Sequence, residues 1–165
     1  MREIASLICV LIVISCKKKL EANQFITFSL DIIVTQDDSF QLFYSNDFIN
    51  EFKEENSVKV KVKGSKKTQT ISFKLQNSIN PNRIRIDLGN NTAQKFLIIK
   101  NLKIIIDKNQ IVIEKRFFND LFKSNEFILN KTNENIFYLK TSNKIYDPYI
   151  ISKSLVRYNN RLIRM

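Results

Sequence analysis

The sequence contains no histidine and no tryptophan, and only two glycines, two prolines and two cysteines in 165 residues. Each shortage removes a class of chemistry. Without histidine the chain lacks the commonest general base at neutral pH, the usual serine triads and the imidazole ligands of most zinc and copper sites. Both phosphate-cradling signatures need clustered glycines. Gly64 and Gly89 stand 25 positions apart, so nucleotide binding of those kinds is excluded. The tryptophan platforms that many sugar-binding sandwiches use are missing, which leaves tyrosine to supply any exposed aromatic surface. Neither a catalytic residue nor a cofactor nor a metal ion is expected.

The carboxylates do not restore an active site. Asp37–Asp38 and Glu54–Glu55 are adjacent pairs in polar segments, and neighbours on an extended chain point to opposite sides. A glycosidase needs two carboxylates facing each other across the sugar, so these read as solvated turn acids. Asp87, just before Gly89, is placed to pair with Arg83 or Arg85 across a strand end. Asp87, Asn90 and Asn91 offer loop oxygens but lack the ligand spacing of known calcium loops.

What the chain has is an apolar leader and a rhythm of two. Residues Ile4 to Ser15 form an apolar run after Met1, Arg2 and Glu3, and Cys16 closes it. A run of this length is too short to span a bilayer, which takes roughly 20 apolar residues, but it suits a secretory leader. Val13-Ile14-Ser15-Cys16 resembles the lipobox of bacterial lipoproteins. That resemblance implies a leader over 1–15, removal before Cys16 and lipid on the Cys16 thiol. The address it implies is the bacterial cell envelope, on a membrane and facing away from the cytoplasm. Two or three acyl chains, at about 0.8 kcal/mol per buried methylene, make such an anchor stable where one would be marginal.

Lys17, Lys18 and Lys19 follow the cysteine, and only Arg2 precedes the run. The usual leader carries its cations first, so a short buried strand or an uncleaved anchor stands as the alternative. Beside a lipid anchor, lysines contribute about 1 kcal/mol each at an anionic surface. With Cys9 in the leader and Cys16 lipidated, no disulfide can form in the remaining chain. Stability must come from the core, and a chain running from Cys16 to Met165 buries roughly 68–70% of its unfolded surface. The formal charge of +11 favours polyanions in principle, but the cations look spread along the chain, and no nucleic-acid partner is expected.

After the tether at 16–24, residues 25–150 form one domain, and 151–165 form a basic tail. Ser57-Val58-Lys59-Val60-Lys61-Val62-Lys63 places valines and lysines on opposite faces of a strand. Thr68 to Leu75 continues with Ile71, Phe73 and Leu75 inward, and the two segments read as a hairpin about Gly64. Further strands are expected at 25–34, 40–44, 83–88, 96–99, 102–106, 111–113, 127–129 and 136–139. In Lys115 to Ser124, the residues Phe117, Phe118, Leu121 and Phe122 recur at helical spacing and predict one short amphipathic helix. Many short strands with polar turns indicate an all-β fold, an antiparallel β-sandwich with one short helix.

In that frame, Asp38-Ser39-Phe40-Gln41-Leu42-Phe43-Tyr44, Ile71-Ser72-Phe73-Lys74-Leu75, Arg83-Ile84-Arg85-Ile86-Asp87-Leu88-Gly89, Phe117-Phe118 and Tyr146-Asp147-Pro148-Tyr149 resemble the extracytoplasmic β-sandwich regions of bacterial membrane proteins of polysaccharide biosynthesis. The resemblance implies a jelly-roll-like sandwich shaped like a carbohydrate-binding module, over roughly residues 25–150. Tyr44, Tyr146 and Tyr149, with Asp87, are the candidate ligand-binding residues. The expected partners are a membrane through Cys16, and a glycan or an envelope protein. An exposed face with two or more tyrosines would favour the glycan, and a bare apolar patch or edge would favour the protein.

Overall fold

The computed structural model describes residues 25–46, 51–76, 79, 81–106, 109–130, 136–141, 145–153, 156–158 and 161–163. The leader and tether, with Cys16, lie outside them. Eleven strands make two antiparallel sheets that face each other across one apolar core, an all-β sandwich. The six-stranded sheet contains β1 (Phe25–Val34), β4 (Ser65–Gln76), β6 (Phe96–Ile106), β7 (Asn109–Glu114), β9 (Ile128–Asn130) and β10 (Ile136–Leu139). Its order is β4-β1-β6-β10-β9, with β7 also on β6. The five-stranded sheet contains β2 (Asp38–Ser45), β3 (Ser57–Val62), β5 (Arg83–Asp87), β8 (Phe122–Ser124) and β11 (Tyr149–Ser152), in the order β3-β2-β5-β11-β8. The chain passes repeatedly between the two sheets. β12 (Val156–Tyr158) and β13 (Arg161–Ile163) pair as a separate ribbon, and β11 carries the sandwich to Ser152, beyond position 150.

The period of two decides which side chains fill the core. On β1, Ile26, Phe28, Leu30, Ile32 and Val34 are fully buried, and they meet Phe40 and Leu42 of β2 and Ile84 and Ile86 of β5. Burying one such side chain contributes about 1.5–3 kcal/mol. In the absence of disulfides among the described residues, this core carries the fold.

Three expectations are corrected. First, Ser57–Lys63 and Thr68–Leu75 do not form a hairpin. β3 pairs with β2 and β4 pairs with β1, so the chain turns a corner at Gly64 from one sheet into the other. Both strands bury one face, and each finds a better partner in a strand of its own sheet. A Cβ at Gly64 would sit 2.7 Å from the Thr35 carbonyl oxygen and 2.8–2.9 Å from the Gln36 backbone, so the corner requires glycine.

Second, 96–99 and 102–106 are one strand. Asp31 opposes Asn101 while Ile32 opposes Ile99, leaving Lys100 as an extra residue. This bulge turns Leu97 and Ile99 on one side of it, and Leu102, Ile104 and Ile106 on the other, all toward the core.

Third, the one short helix is present, but its extent is corrected: it is a single α turn (α1, Phe118–Leu121) after a 3-10 turn (Lys115–Phe117), with Phe122–Ser124 in β8. Phe118 and Phe122 stack with centroids 4.8 Å apart and Phe137 meets Phe118 edge-on, while Phe117 is exposed. A helix this short is marginal without a long apolar face. The ladder of Phe122–Ser124 to β11 takes the rest of the segment. Among the described residues no helix is long and apolar enough to cross a membrane.

Candidate functional site

Strand order brings the polar residues of β2, β5 and β11 together on the outer face of the five-stranded sheet. Gln41 opposes Asp87, and Asp87 opposes Tyr149; one row along, Phe43 opposes Arg85, and Arg85 opposes Ile151. Alternation makes all of these point away from the core. At the centre, the Arg85 guanidinium lies 3.9 Å over the Tyr149 ring and 5.5 Å from that of Phe43. Its Nε donates to Asp87 Oδ1 at 2.6 Å and its Nη2 to Asp87 Oδ2 at 3.0 Å, the two-pronged geometry that a planar fork allows. Nη2 also reaches Asp147 Oδ1 at 3.3 Å. With 23% of the Arg85 side chain and 20% of Asp87 exposed, this pair is part-buried but open to a ligand.

The surroundings are locked by further hydrogen bonds. The Gln41 amide donates to Glu54 Oε1 at 2.7 Å and Ser57 Oγ at 2.9 Å. Asn125 holds the other side: its Nδ2 donates to the Asp147 carbonyl and its Oδ1 accepts from the Tyr149 amide. Burial pushes the Asp87 carboxyl above the usual carboxylate range, and the nearby Asp147 and Glu54 charges add to it. The Arg85 hydrogen bonds and charge offset part of that rise. Asp87, Asp147 and Glu54 gather here around Arg85 and Gln41, while Lys59 opposite Gln41, Lys123 opposite Ile151 and Arg83 opposite Ser45 share the same side of the sheet. The face is a mixed-charge, hydrogen-bonding surface with two aromatic rings.

The candidate residues do not all meet at this face. Asp87 and Tyr149 do, as paired neighbours. Tyr44 lies on the opposite side of its strand, opposed to Ile84, packs against the core and lines a cleft of about 210 Å³ with Glu51, Lys53 and Glu55. Tyr146 also packs against the core, with its hydroxyl donating to the Gln94 carbonyl at 3.3 Å. Burial, with the Asp38 charge added, raises that phenol far above its ordinary value. Among the described residues, a two-tyrosine platform is therefore absent from the outer face. Cys16 lies outside the described residues.

Arg85 was foreseen as an ion-pair partner, but Phe43, Gln41 and Asp147 were not seen as site residues. Alternation with the buried Phe40 and Leu42 puts Gln41 and Phe43 on the non-core side of β2. What was missing was that β5 lies between β2 and β11.

Asp37 and Asp38 are not free turn acids. Asp38 Oδ1 accepts from the backbone amides of Ser39, Asn90 and Asn91 at 2.8, 2.8 and 3.2 Å, and Asp37 Oδ1 accepts from Gly64 at 2.7 Å. The loop oxygens at 87–91 do not converge either, because Asp87 turns to Arg85 while the Asn90 and Asn91 amides serve Asp38. No cluster of three or more metal-ligating acids, cysteines or histidines occurs among the described residues.

The opposite face of the sandwich has a different character. On the outer side of the six-stranded sheet, Ile33, Ile98 and Ile136 oppose one another across β1, β6 and β10, and Phe96, Tyr138 and Leu129 form the next row. Leu129 is 55% exposed. No family model matches the chain, and neither curated proteins nor solved structures show a match to it.

Proposed function

We propose that this chain is a lipid-anchored, non-catalytic protein of the bacterial envelope whose sandwich binds an envelope glycan at the outer face of the five-stranded sheet. The two-tyrosine platform that would favour a glycan is not what supports this reading; the observation that carries it is the cluster of Arg85, Asp87, Gln41 and Tyr149, where planar polar groups sit beside an aromatic ring on a sheet. Sugars present adjacent hydroxyls and apolar ring faces, and such a surface answers both. The non-catalytic reading is supported by the lack of histidine and by the engagement of Asp37, Asp38 and Asp87 in structural contacts. The anchor rests on the Val13–Cys16 pattern.

A glycan array probed with the chain from Leu20 onward tests the ligand, with Tyr149→Ala and Asp87→Asn as paired variants. Binding that both variants lose supports the reading; an array with no bound glycan removes it. Radiolabelled palmitate tests the anchor separately: Cys16→Ala should abolish labelling, and persisting label refutes lipidation there.

A second reading has its own observation. The rows Ile33–Ile98–Ile136 and Phe96–Tyr138–Leu129 give the six-stranded sheet an apolar outer patch, and such patches mark protein contacts. On this reading the protein acts in envelope structure or assembly.

A further inference from the structure

The positive charge looks dispersed in sequence, yet the fold gathers part of it. Lys59, Lys61, Lys63, Lys66 and Lys67 fall within nine residues that contain no acid. These residues build the corner where β3, the edge of one sheet, passes into β4, the edge of the other. All five are exposed. Lys59 and Lys61 stand two residues apart on the outer face, roughly 6.6–6.8 Å from one to the next. Between Ile32 and Val34 the β1–β4 register slips by two residues on β4, and this irregularity carries Lys66 and Lys67, both turned to solvent. Among the described residues, none of the five is in an ion pair. Asp37 and Asp38, which line a cleft with Lys61 and Lys63, accept from backbone amides, Asp37 from Gly64 and Asp38 from Ser39, Asn90 and Asn91.

The kind of anion follows from what accompanies the charge. There is no arginine in the corner, so there is no planar fork for two-pronged phosphate recognition, and the ammonium groups act as point charges. The one aromatic between 57 and 76, Phe73, is fully buried, which leaves no ring for a base to stack on. The corner's own apolar side chains, Val58, Val60 and Val62, face inward, so no wedge is available to enter a bilayer. A row of spaced point charges along an extended edge matches a linear chain with repeating carboxylates or sulfates.

We propose that the β3–β4 corner is a binding edge for a linear acidic polysaccharide, bordering the Arg85 face at Lys59, which opposes Gln41, and running from there to Lys67. The bland alternative is that edge lysines only prevent strand-to-strand association.

The test uses the full chain in neutral detergent at 150 mM salt, titrated with polygalacturonate, heparin, neutral dextran, a single-stranded oligonucleotide and vesicles containing anionic lipid. Polygalacturonate and heparin should bind, with affinity falling steeply as salt rises, and dextran should not. Replacing Lys61, Lys63, Lys66 and Lys67 together by Gln should weaken binding at least tenfold. The equal charge change at Lys100, Lys123, Lys140 and Lys153 should weaken it less than threefold. Circular dichroism and the urea midpoint confirm that each variant is folded. The proposal is overturned if both quadruple variants lose binding equally, or if oligonucleotide or vesicles bind more tightly than the polysaccharides. It is also overturned if neither polysaccharide binds, including the case in which the corner variant merely self-associates.

Discussion

Substituting Gly89 by alanine should destabilise this protein more than almost any other single methyl group added to it. Gly89 has φ of +102°, a conformation in which an L side chain meets its own backbone; left-handed backbone alone costs about 1–2 kcal/mol. The added Cβ would stand 2.1 Å from Asp38 Oδ2 and 2.5 Å from its Cγ, so the carboxylate must leave. Asp38 then gives up its bonds to the Asn90 and Asn91 amides, each a hydrogen bond to a charged group with a net contribution of about 1.5–3 kcal/mol, toward the low end where the bond is exposed. Allowing for solvent replacing part of that, the loss is roughly 3–5 kcal/mol, a large share of the 5–15 kcal/mol typical of a domain.

The assay is urea unfolding of the chain from Leu20 onward, followed by circular dichroism. With a slope of about 2 kcal/mol per molar, the midpoint should fall by about 2 M. Asp38→Ala alone should also destabilise, and the double variant should lose clearly less than the sum of the two, because one clash underlies both. A Gly89→Ala midpoint within about 0.3 M of the parent, or strict additivity of the pair, would refute the account of this corner.

Other expectations follow from the same contacts. Phe73→Ala empties a fully buried position on β4 and should cost about 3–5 kcal/mol, read as a midpoint shift with unchanged slope; a loss below about 1 kcal/mol would mean the core closes over the gap. Burial alone would raise Asp31, but hydrogen bonds from Lys103 and Thr70 and the Lys103 charge outweigh it and hold the carboxyl below its usual value. Its contribution is therefore present above the unfolded-state pKa and is lost as pH falls through the lower folded value, so Asp31→Asn should flatten the acid limb of a stability–pH curve. Asp87 has the opposite sign: with its folded pKa raised, stability declines as pH rises through that value, and Asp87→Asn should remove that decline. Arg85→Lys keeps the charge but removes the fork and the ring stack. Because the pair is part-exposed and the charge is kept, the expected loss is only about 0.5–1 kcal/mol, and an unchanged midpoint would show that the fork contributes nothing to stability.

Much of the strand pattern was legible because period-two alternation is a direct consequence of burying one face. Val58, Val60 and Val62, and Ile71, Phe73 and Leu75, point as their spacing dictates. Pairing was less legible, because alternation says which way a side chain points but not which strand lies beside it. Hence the two segments flanking Gly64 read as a hairpin although they belong to different sheets. The bulge at Lys100 hid in the same way, since a single extra residue breaks the phase and makes one strand look like two. At the candidate face, Asp87 and Tyr149 were named from residue type, while Tyr44 shares the core-facing side of β2 with Phe40 and Leu42. The meeting of Phe43, Arg85 and Tyr149 depends on the order β2-β5-β11, which arises from contacts far apart in the chain.

One consequence of that order is mechanical. β1, the first described strand, is not an edge but lies between β4 and β6, hydrogen-bonded to both along its length. A pull delivered on the N-terminal side of Phe25 runs along the strand and loads both ladders in shear, so many hydrogen bonds resist together. Peeling an edge strand would instead break them one at a time. If the chain is held at a surface by its N-terminal segment, drag on the domain is taken by its most strongly braced strand, and forced unfolding, which is governed by the unfolding rate, should be slow from that end.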